Sequence, residues 1–262
     1  MVYKKIAVIV LAVSILVLAA WQLSRISVKS QPMQDATSVS SIQGAVRTDA
    51  GDFYYKKGAE FYTVETTYPA TLGLDVAASA KARATMEGWI MNQQNAFLAS
   101  TDEMLTVEEQ ARLREQHRKY SYDVTYTRYV SEGRVSVVYQ IFEDTGGAHP
   151  NTSYKTFTFN ADGTELALAD LFVPGSQYLD RLSKISYAHL VKDLAKRFES
   201  PLDEQQLDWV REGTAPKSNV LQFFYVNGKN LVLLFPPYQV AAYVAGESEV
   251  PIVFSELSGI LR

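Results

Sequence analysis

The chain has 262 residues, with 25 Lys and Arg against 29 Asp and Glu, a net charge of −4, and no cysteine. The mildly acidic balance argues against a nucleic-acid binder and against a basic membrane-surface patch. The missing thiols exclude disulfides, thiolate metal sites and a lipid-modified cysteine anchor.

Met1-Val2-Tyr3-Lys4-Lys5 precedes an apolar run from Ile6 to Trp21 that is interrupted only by Ser14. A short lysine-bearing start ahead of such a run is read by the secretion machinery as an export signal or a membrane anchor. About sixteen residues at ~1.5 Å each give roughly 24 Å of helix, a little short of a ~30 Å hydrocarbon core. Residues 1–26 are therefore expected to be a retained single-span anchor with the N-terminus inside, or a cleaved signal peptide. In either case the folded part is expected on the extracytoplasmic side of the membrane. Ser27 to Asp52 is rich in Ser, Gln, Thr, Ala and Asp, and residues 27–52 read as a flexible tether.

Phe53 to Tyr68 alternates on two faces and predicts a strand that Pro69 ends. Asp75 to Ser100 predicts a helix packing through Ala77, Ala80, Ala84, Met86, Trp89, Ile90 and Phe97. Glu103 to Gln116 predicts a second, more polar helix, capped by Thr101 or Asp102. Lys119 to Ser131 and Arg134 to Glu143 predict a hairpin turning at Glu132-Gly133. Tyr154 to Phe159 predicts a further strand. Gln177 to Phe198 predicts a long helix with Leu179, Leu182, Ile185, Leu190, Leu194 and Phe198 at helical spacing. Ser200-Pro201-Leu202-Asp203 predicts the start of a short helix that stops at Gly213. Val220 to Val226 and Asn230 to Phe235 predict a second hairpin, and Glu249 to Phe254 the last strand. This mixed order predicts an α+β fold: antiparallel sheets with helices packed on one face, after an N-terminal membrane helix.

Two stretches stand out chemically. In Thr145-Gly146-Gly147-Ala148-His149-Pro150-Asn151, paired glycines permit backbone angles closed to other residues, and Pro150 pushes His149 toward an extended conformation. This is a shaped loop with an imidazole near its tip, or else a structural turn. Glu143 and Asp144 lie just upstream as candidate partners for that imidazole. In the second stretch, Phe235 to Gly246, two prolines and a closing glycine surround Tyr238 and Tyr243. Tyrosine faces stack well on sugar rings and partner side chains, and equally well inside a protein. No P-loop, G-x-G-x-x-G, G-x-S-x-G or H-E-x-x-H occurs. His117 and His189 have no ligand motif around them, and no metal or cofactor is expected. Asn160 to Thr164 reads as a hairpin turn rather than a calcium loop.

The G-G-A-H-x-N loop, followed much later by F-x-P-Y-x-V-A-x-Y-x-x-G and a last strand, resembles a bacterial extracytoplasmic domain family. That family occurs in the sensor half of RsiV-type anti-sigma factors and in the non-catalytic region of PdaC-type peptidoglycan deacetylases. The Tyr-rich strand ending at Tyr68-Pro69 and the helix around Asn92 and Asn95 resemble the small domain that precedes it there. The resemblance implies subdomains at 53–145 and 146–262. Five residues before the apolar run are too few for a sigma-binding segment, and no zinc deacetylase domain follows, so the extracytoplasmic module alone is expected. In RsiV-like members the module recognises lysozyme, which makes lysozyme or cell-wall glycan the implied partner. The expected ligand-binding residues are Gly146, Gly147, His149 and Asn151, with Tyr238 and Tyr243 opposite. The rival readings are a hydrolase of envelope material, with His149 as general acid or base beside Asp144 or Glu143, and a structural envelope protein.

Overall fold

The computed structural model describes residues 40–262. The anchor or signal at 1–26 and the expected tether up to residue 39 lie outside the described residues, whereas the rest of that stretch, expected to be flexible as far as residue 52, is folded, with Ile42 buried and a two-residue strand at Val46–Arg47. Among the described residues no helix is long and apolar enough to cross a membrane.

Six strands form one sheet in chain order: β1 (Val46–Arg47), β2 (Asp52–Gly58), β3 (Tyr62–Pro69), β4 (Tyr120–Ser131), β5 (Arg134–Asp144) and β6 (Asn151–Asn160). The stretch expected as one strand at 53–68 is thus two, folded back with Gly58 opposite Thr63. Neighbours are antiparallel except β3 and β4, which run parallel. A parallel pair needs a long crossover, and α1 (Val76–Met104) and α2 (Val107–Glu115) supply it.

Asp75 starts α1 by accepting a hydrogen bond from the Ala78 amide at 2.8 Å, which satisfies one orphan donor of the first turn. The buried positions of α1 are Ala78, Ala82, Met86, Ile90, Gln94, Phe97 and Thr101, with Ser79 and Glu87 beside them. Ala77, Ala80 and Ala84, expected to pack, are exposed. The stripe repeats every three or four residues and is turned from the expected one, with polar Gln94 and Thr101 on it and Ser79 and Glu87 along its edge. Gln94 is satisfied there by donating to Thr66 Oγ1 at 2.9 Å. The N-cap of α2 is Thr106, whose hydroxyl accepts from the Glu109 amide; Thr101 is buried inside α1 instead. Met86, Ile90, Phe97 and Leu113 share one core with Val64, Tyr122, Val124, Val135, Val137, Tyr139, Phe157 and Phe159 of the sheet.

A second sheet of β7 (Phe224–Asn227), β8 (Asn230–Phe235) and β9 (Ser248–Val253) is antiparallel throughout. It shares a core with α3 (Tyr178–Arg197) and α4 (Glu204–Gly213) through Leu182, Leu190, Leu194, Val210, Leu231, Leu233, Val250 and Ile252. Asp203, not Ser200, caps α4, in a reciprocal box with Gln206 at 2.8 and 2.9 Å. β6 belongs to the six-stranded sheet, so the sheet runs across the 145/146 boundary read from the sequence.

The two sheets meet along β7. Its outward amides are received by side-chain hydroxyls of the larger sheet: Phe224 N–H donates to Thr156 Oγ1 at 3.2 Å and Val226 N–H to Ser136 Oγ at 2.9 Å. Just past the strand, Gly228 N–H donates to Ser131 Oγ at 2.9 Å. Successive side chains of a strand face opposite ways. Val135, Val137 and Tyr139 of β5 therefore feed the α1 core, while Ser136 between them meets β7. A row of hydroxyls thus stands where a backbone ladder would otherwise seal the edge of β7.

The chain enters this body through a short clasp. Ser41 gives both its amide, at 3.2 Å, and its hydroxyl, at 2.5 Å, to Glu87 of α1. Ser40 and Tyr68 hydrogen-bond through their hydroxyls, and Ile42 is buried in the core. Arg83 stands 3.7 Å from the other oxygen of Glu87.

Candidate functional site

The glycine loop connects β5 to β6. Asp144 closes its first turn by accepting from the Gly146 amide at 2.9 Å, and Arg118 holds the same carboxylate at 2.9 and 3.1 Å. Gly146 has φ +80°, and a Cβ there would lie 2.7 Å from an Arg112 guanidinium nitrogen. The positive φ is what favours glycine here, since the end of the Arg112 side chain can move aside. Arg112 is fixed in turn by Glu109, whose carboxyl is held down to about 2 by that guanidinium and by the Tyr120 hydroxyl.

The second loop runs from β8 to β9 and is tied at both ends. At one end the Gln239 amide donates to the carbonyls of Gly213 and Val220, both at 2.9 Å, and Trp209 Nε1 donates to the carbonyl of Tyr238 at 2.9 Å. Gly213 permits this approach, since a Cβ there would collide with the Gln239 carbonyl oxygen and lie 2.8 Å from Val240 Cγ1. At the other end Arg197 donates to the carbonyls of Ala245 and Glu247 and to Ser248 Oγ, at 3.0, 3.2 and 3.1 Å.

Among the described residues three non-glycines have positive φ: His117, Glu199 and Tyr238. The first two follow helix ends and carry the backbone bonds of such a stop: Arg118 N–H to Leu113 O, and Ser200 N–H to Ala195 O. Tyr238, at φ 70°, terminates no helix. Its left-handed backbone costs about 1 kcal/mol and turns a half-exposed ring outward.

The two loops meet at that ring. The His149 imidazole stacks on Tyr243 with centroids 4.3 Å apart and planes 20° from parallel. Its Nε2 is 3.1 Å from the Tyr238 hydroxyl and its Nδ1 2.9 Å from the Pro150 carbonyl. The Tyr243 hydroxyl donates to the same carbonyl at 3.1 Å, and Tyr238 and Tyr243 lie 5.4 Å apart at 34°. A carbonyl only accepts, so Nδ1 carries a proton; in the neutral ring Nε2 then accepts from Tyr238. The result is a small platform of three rings, His149 and Tyr238 exposed and Tyr243 half-buried beneath the imidazole, whose polar edges are mutually satisfied.

Six residues were expected here. His149, Tyr238 and Tyr243 touch one another. Gly146 and Gly147 shape the loop, with Gly147 exposed and 3.8 Å (as a Cβ) from the His149 carbonyl. Asn151 opens β6 opposite Glu143, with its side chain exposed and bonded to none of the three rings. The carboxylate partner proposed for His149 is corrected: Asp144 is engaged by Arg118 and Gly146, and the imidazole by Pro150 and Tyr238. Burial pushes the Glu143 carboxyl above its usual range, without contact to the ring. Sequence reasoning missed Trp209 and Gln239, and it read Gly213 only as a helix stop. Among the described residues no group of three or more His, Asp or Glu side chains could hold a metal ion.

Residues 169–255 match a family described as a protein of unknown function, DUF3298. The chain is 34% identical over 129 residues to the peptidoglycan-N-acetylmuramic acid deacetylase PdaC of Bacillus subtilis (strain 168), covering 49% of this chain and 26% of that protein. It is 35% identical over 96 residues to the esterase Rv3036c of Mycobacterium tuberculosis (strain ATCC 25618 / H37Rv), covering 35% of this chain and 41% of that one. It thus spans less than half the length of either curated relative. In fold it is similar to a crystal structure of a DUF3298 family member from Bacteroides fragilis NCTC 9343, with a TM-score of 0.55 and 16% identity over 80% of this chain and 92% of that one. The similarity to the PdaC deacetylase expected from the sequence is thus found over about half the chain. The stretch from 169 to 255 is the part that carries the DUF3298 pattern, and it contains Trp209, Tyr238 and Tyr243 but not His149.

Proposed function

We propose that this protein is a non-enzymatic recognition module of the bacterial envelope that takes cell-wall glycan on the platform of His149, Tyr238 and Tyr243. The observation that carries the reading is the platform itself: the His149 ring is laid on Tyr243 at 4.3 Å and tied to Tyr238 at 3.1 Å on an exposed surface. Flat rings with polar edges suit the alternating CH faces and hydroxyls of a sugar. Spending backbone strain on Tyr238 is typical of a ligand site rather than of packing. Proton-transfer chemistry is the weaker reading, because among the described residues the imidazole has no carboxylate behind it and no hydroxyl nucleophile beside it other than the tyrosines. The peptidoglycan-directed name of the PdaC relative and the lysine-led apolar leader support an extracytoplasmic place next to that polymer.

The test is co-sedimentation of the full-length protein with purified peptidoglycan, for wild type, His149→Ala and Tyr238→Gly. Glycine relieves the positive φ, so Tyr238→Gly is expected to keep its melting temperature while binding falls. Each variant is expected to weaken binding roughly tenfold, the scale of one lost aromatic contact. Wild-type protein that leaves the polymer in the supernatant but captures lysozyme would transfer the platform to a secreted protein partner. Hydrolysis of envelope esters or amides that His149→Ala abolishes would restore the hydrolase reading.

A further inference from the structure

Beside the platform lies a groove of about 320 Å³, lined by Trp209, Glu212, Gly213, Asn219, Val220 and Gln239. It is built on the same rigid loop. Trp209 is bonded to the Tyr238 carbonyl at 2.9 Å, and Gln239 is the next residue along the chain. Tyr238 thus links the two through its backbone: its ring faces His149 and Tyr243, while its carbonyl receives the Trp209 indole.

We infer that platform and groove are two seats of one cleft, and that the cleft selects an oligosaccharide of neutral amino-sugar units over a single sugar. This rests on the glycan reading of the platform. The groove volume lies at the small end for a ligand pocket, and it suits about one sugar unit. Its lining offers a partly exposed indole together with the exposed side chains of Glu212 and Asn219. These groups exchange hydrogen bonds with hydroxyl and acetamido groups. Among the described residues no Lys, Arg or His lines the groove, and Glu212 repels phosphate or carboxylate, so anionic polymers are disfavoured at this seat. Linking two seats through one ligand raises affinity without new chemistry at either.

The experiment is calorimetric titration of the full-length protein with chitin oligosaccharides of one to six units. Affinity is expected to rise at least tenfold between the shortest oligomer that binds and one two units longer. The double variant Glu212→Ala, Asn219→Ala changes exposed side chains only, and its melting temperature checks that it folds. It is expected to lose that gain while keeping wild-type affinity for the short oligomer. Short oligomers that bind through His149 with no gain on lengthening overturn the two-seat cleft and leave the platform standing. A length gain that the double variant retains also overturns the second seat at Trp209. No binding at any length overturns the platform reading and the cleft with it.

Discussion

Removal of the Ser136 hydroxyl tests whether side chains replace backbone pairing where the two sheets meet. Ser136 is fully buried, and its oxygen accepts from the Val226 amide at 2.9 Å while sharing a bond of 2.9 Å with Thr158. Val226 is buried too, so water has no route to the abandoned amide. An unpaired buried N–H costs about 1–3 kcal/mol, whereas the small volume lost from Ser to Ala leaves almost no cavity. Ser136→Ala is therefore expected to destabilise by about 2 kcal/mol. For a body of this size that lowers the melting temperature by roughly 4–8 °C. Thr156→Ala, slightly less buried, is expected to cost less, although the lost methyl adds a packing term. Ser131→Ala is expected to cost less than Ser136→Ala, because the Gly228 amide it serves is exposed to water and its own donation to the Val226 carbonyl is long, at 3.4 Å. Urea unfolding of the three variants gives the order, and hydrogen exchange at Val226 gives the local effect. Equal costs for Ser136→Ala and Ser131→Ala, or unchanged exchange at Val226 in Ser136→Ala, would refute the reasoning.

Gly213→Ala drives a methyl group into the Gln239 carbonyl. The expected result is a loss of about 1–3 kcal/mol with chemical-shift changes concentrated at 237–243; unaltered shifts there would show that Gly213 does not set the loop. Glu143 has a pH signature. Its folded-state pKa is raised by burial alone, so its cost is absent while the group is protonated in both states and appears as pH rises through the folded value. Glu143→Gln should thus be neutral near pH 3 and stabilising at pH 7, by less than about 1 kcal/mol given its partial exposure; denaturant midpoints at the two pH values check the sign. Glu109 behaves oppositely: with its carboxyl held near 2 by Arg112, its contribution is full above about pH 4.5 and fades as pH falls toward 2. Its carboxyl carbon shift should titrate in that lower range, and an ordinary midpoint would show that the Arg112 contact is not held in solution.

The legible parts of the fold were those fixed by local chemistry. Glu132-Gly133 and Gly228 turn their hairpins where the sequence placed them, with Gly133 and Gly228 both at positive φ. Gly213 ends α4 as expected. Where partners far along the chain decide, the sequence was silent. The alanines of α1 carry too little surface to mark a face, and the buried Glu87, Gln94 and Thr101 look solvated until Ser41 and Thr66 are seen beside the first two. The turn at Ala59-Glu60-Phe61 lacks a strong signal, so β2 and β3 read as one strand. Both halves of the platform were singled out by their prolines, glycines and tyrosines. Their meeting across 89 residues between His149 and Tyr238 follows only from the packing of β7 on the large sheet and of the second loop on α4.

The clasp at Ser40 to Ile42 sets where tension enters the body. Traction along the leading 39 residues falls first on a carboxylate midway along α1 and a phenol on β3, not on the two-residue β1 at the rim. If that leading segment holds the chain to a surface, the load path runs into the interior through Glu87, and the short rim strand is spared from being peeled away.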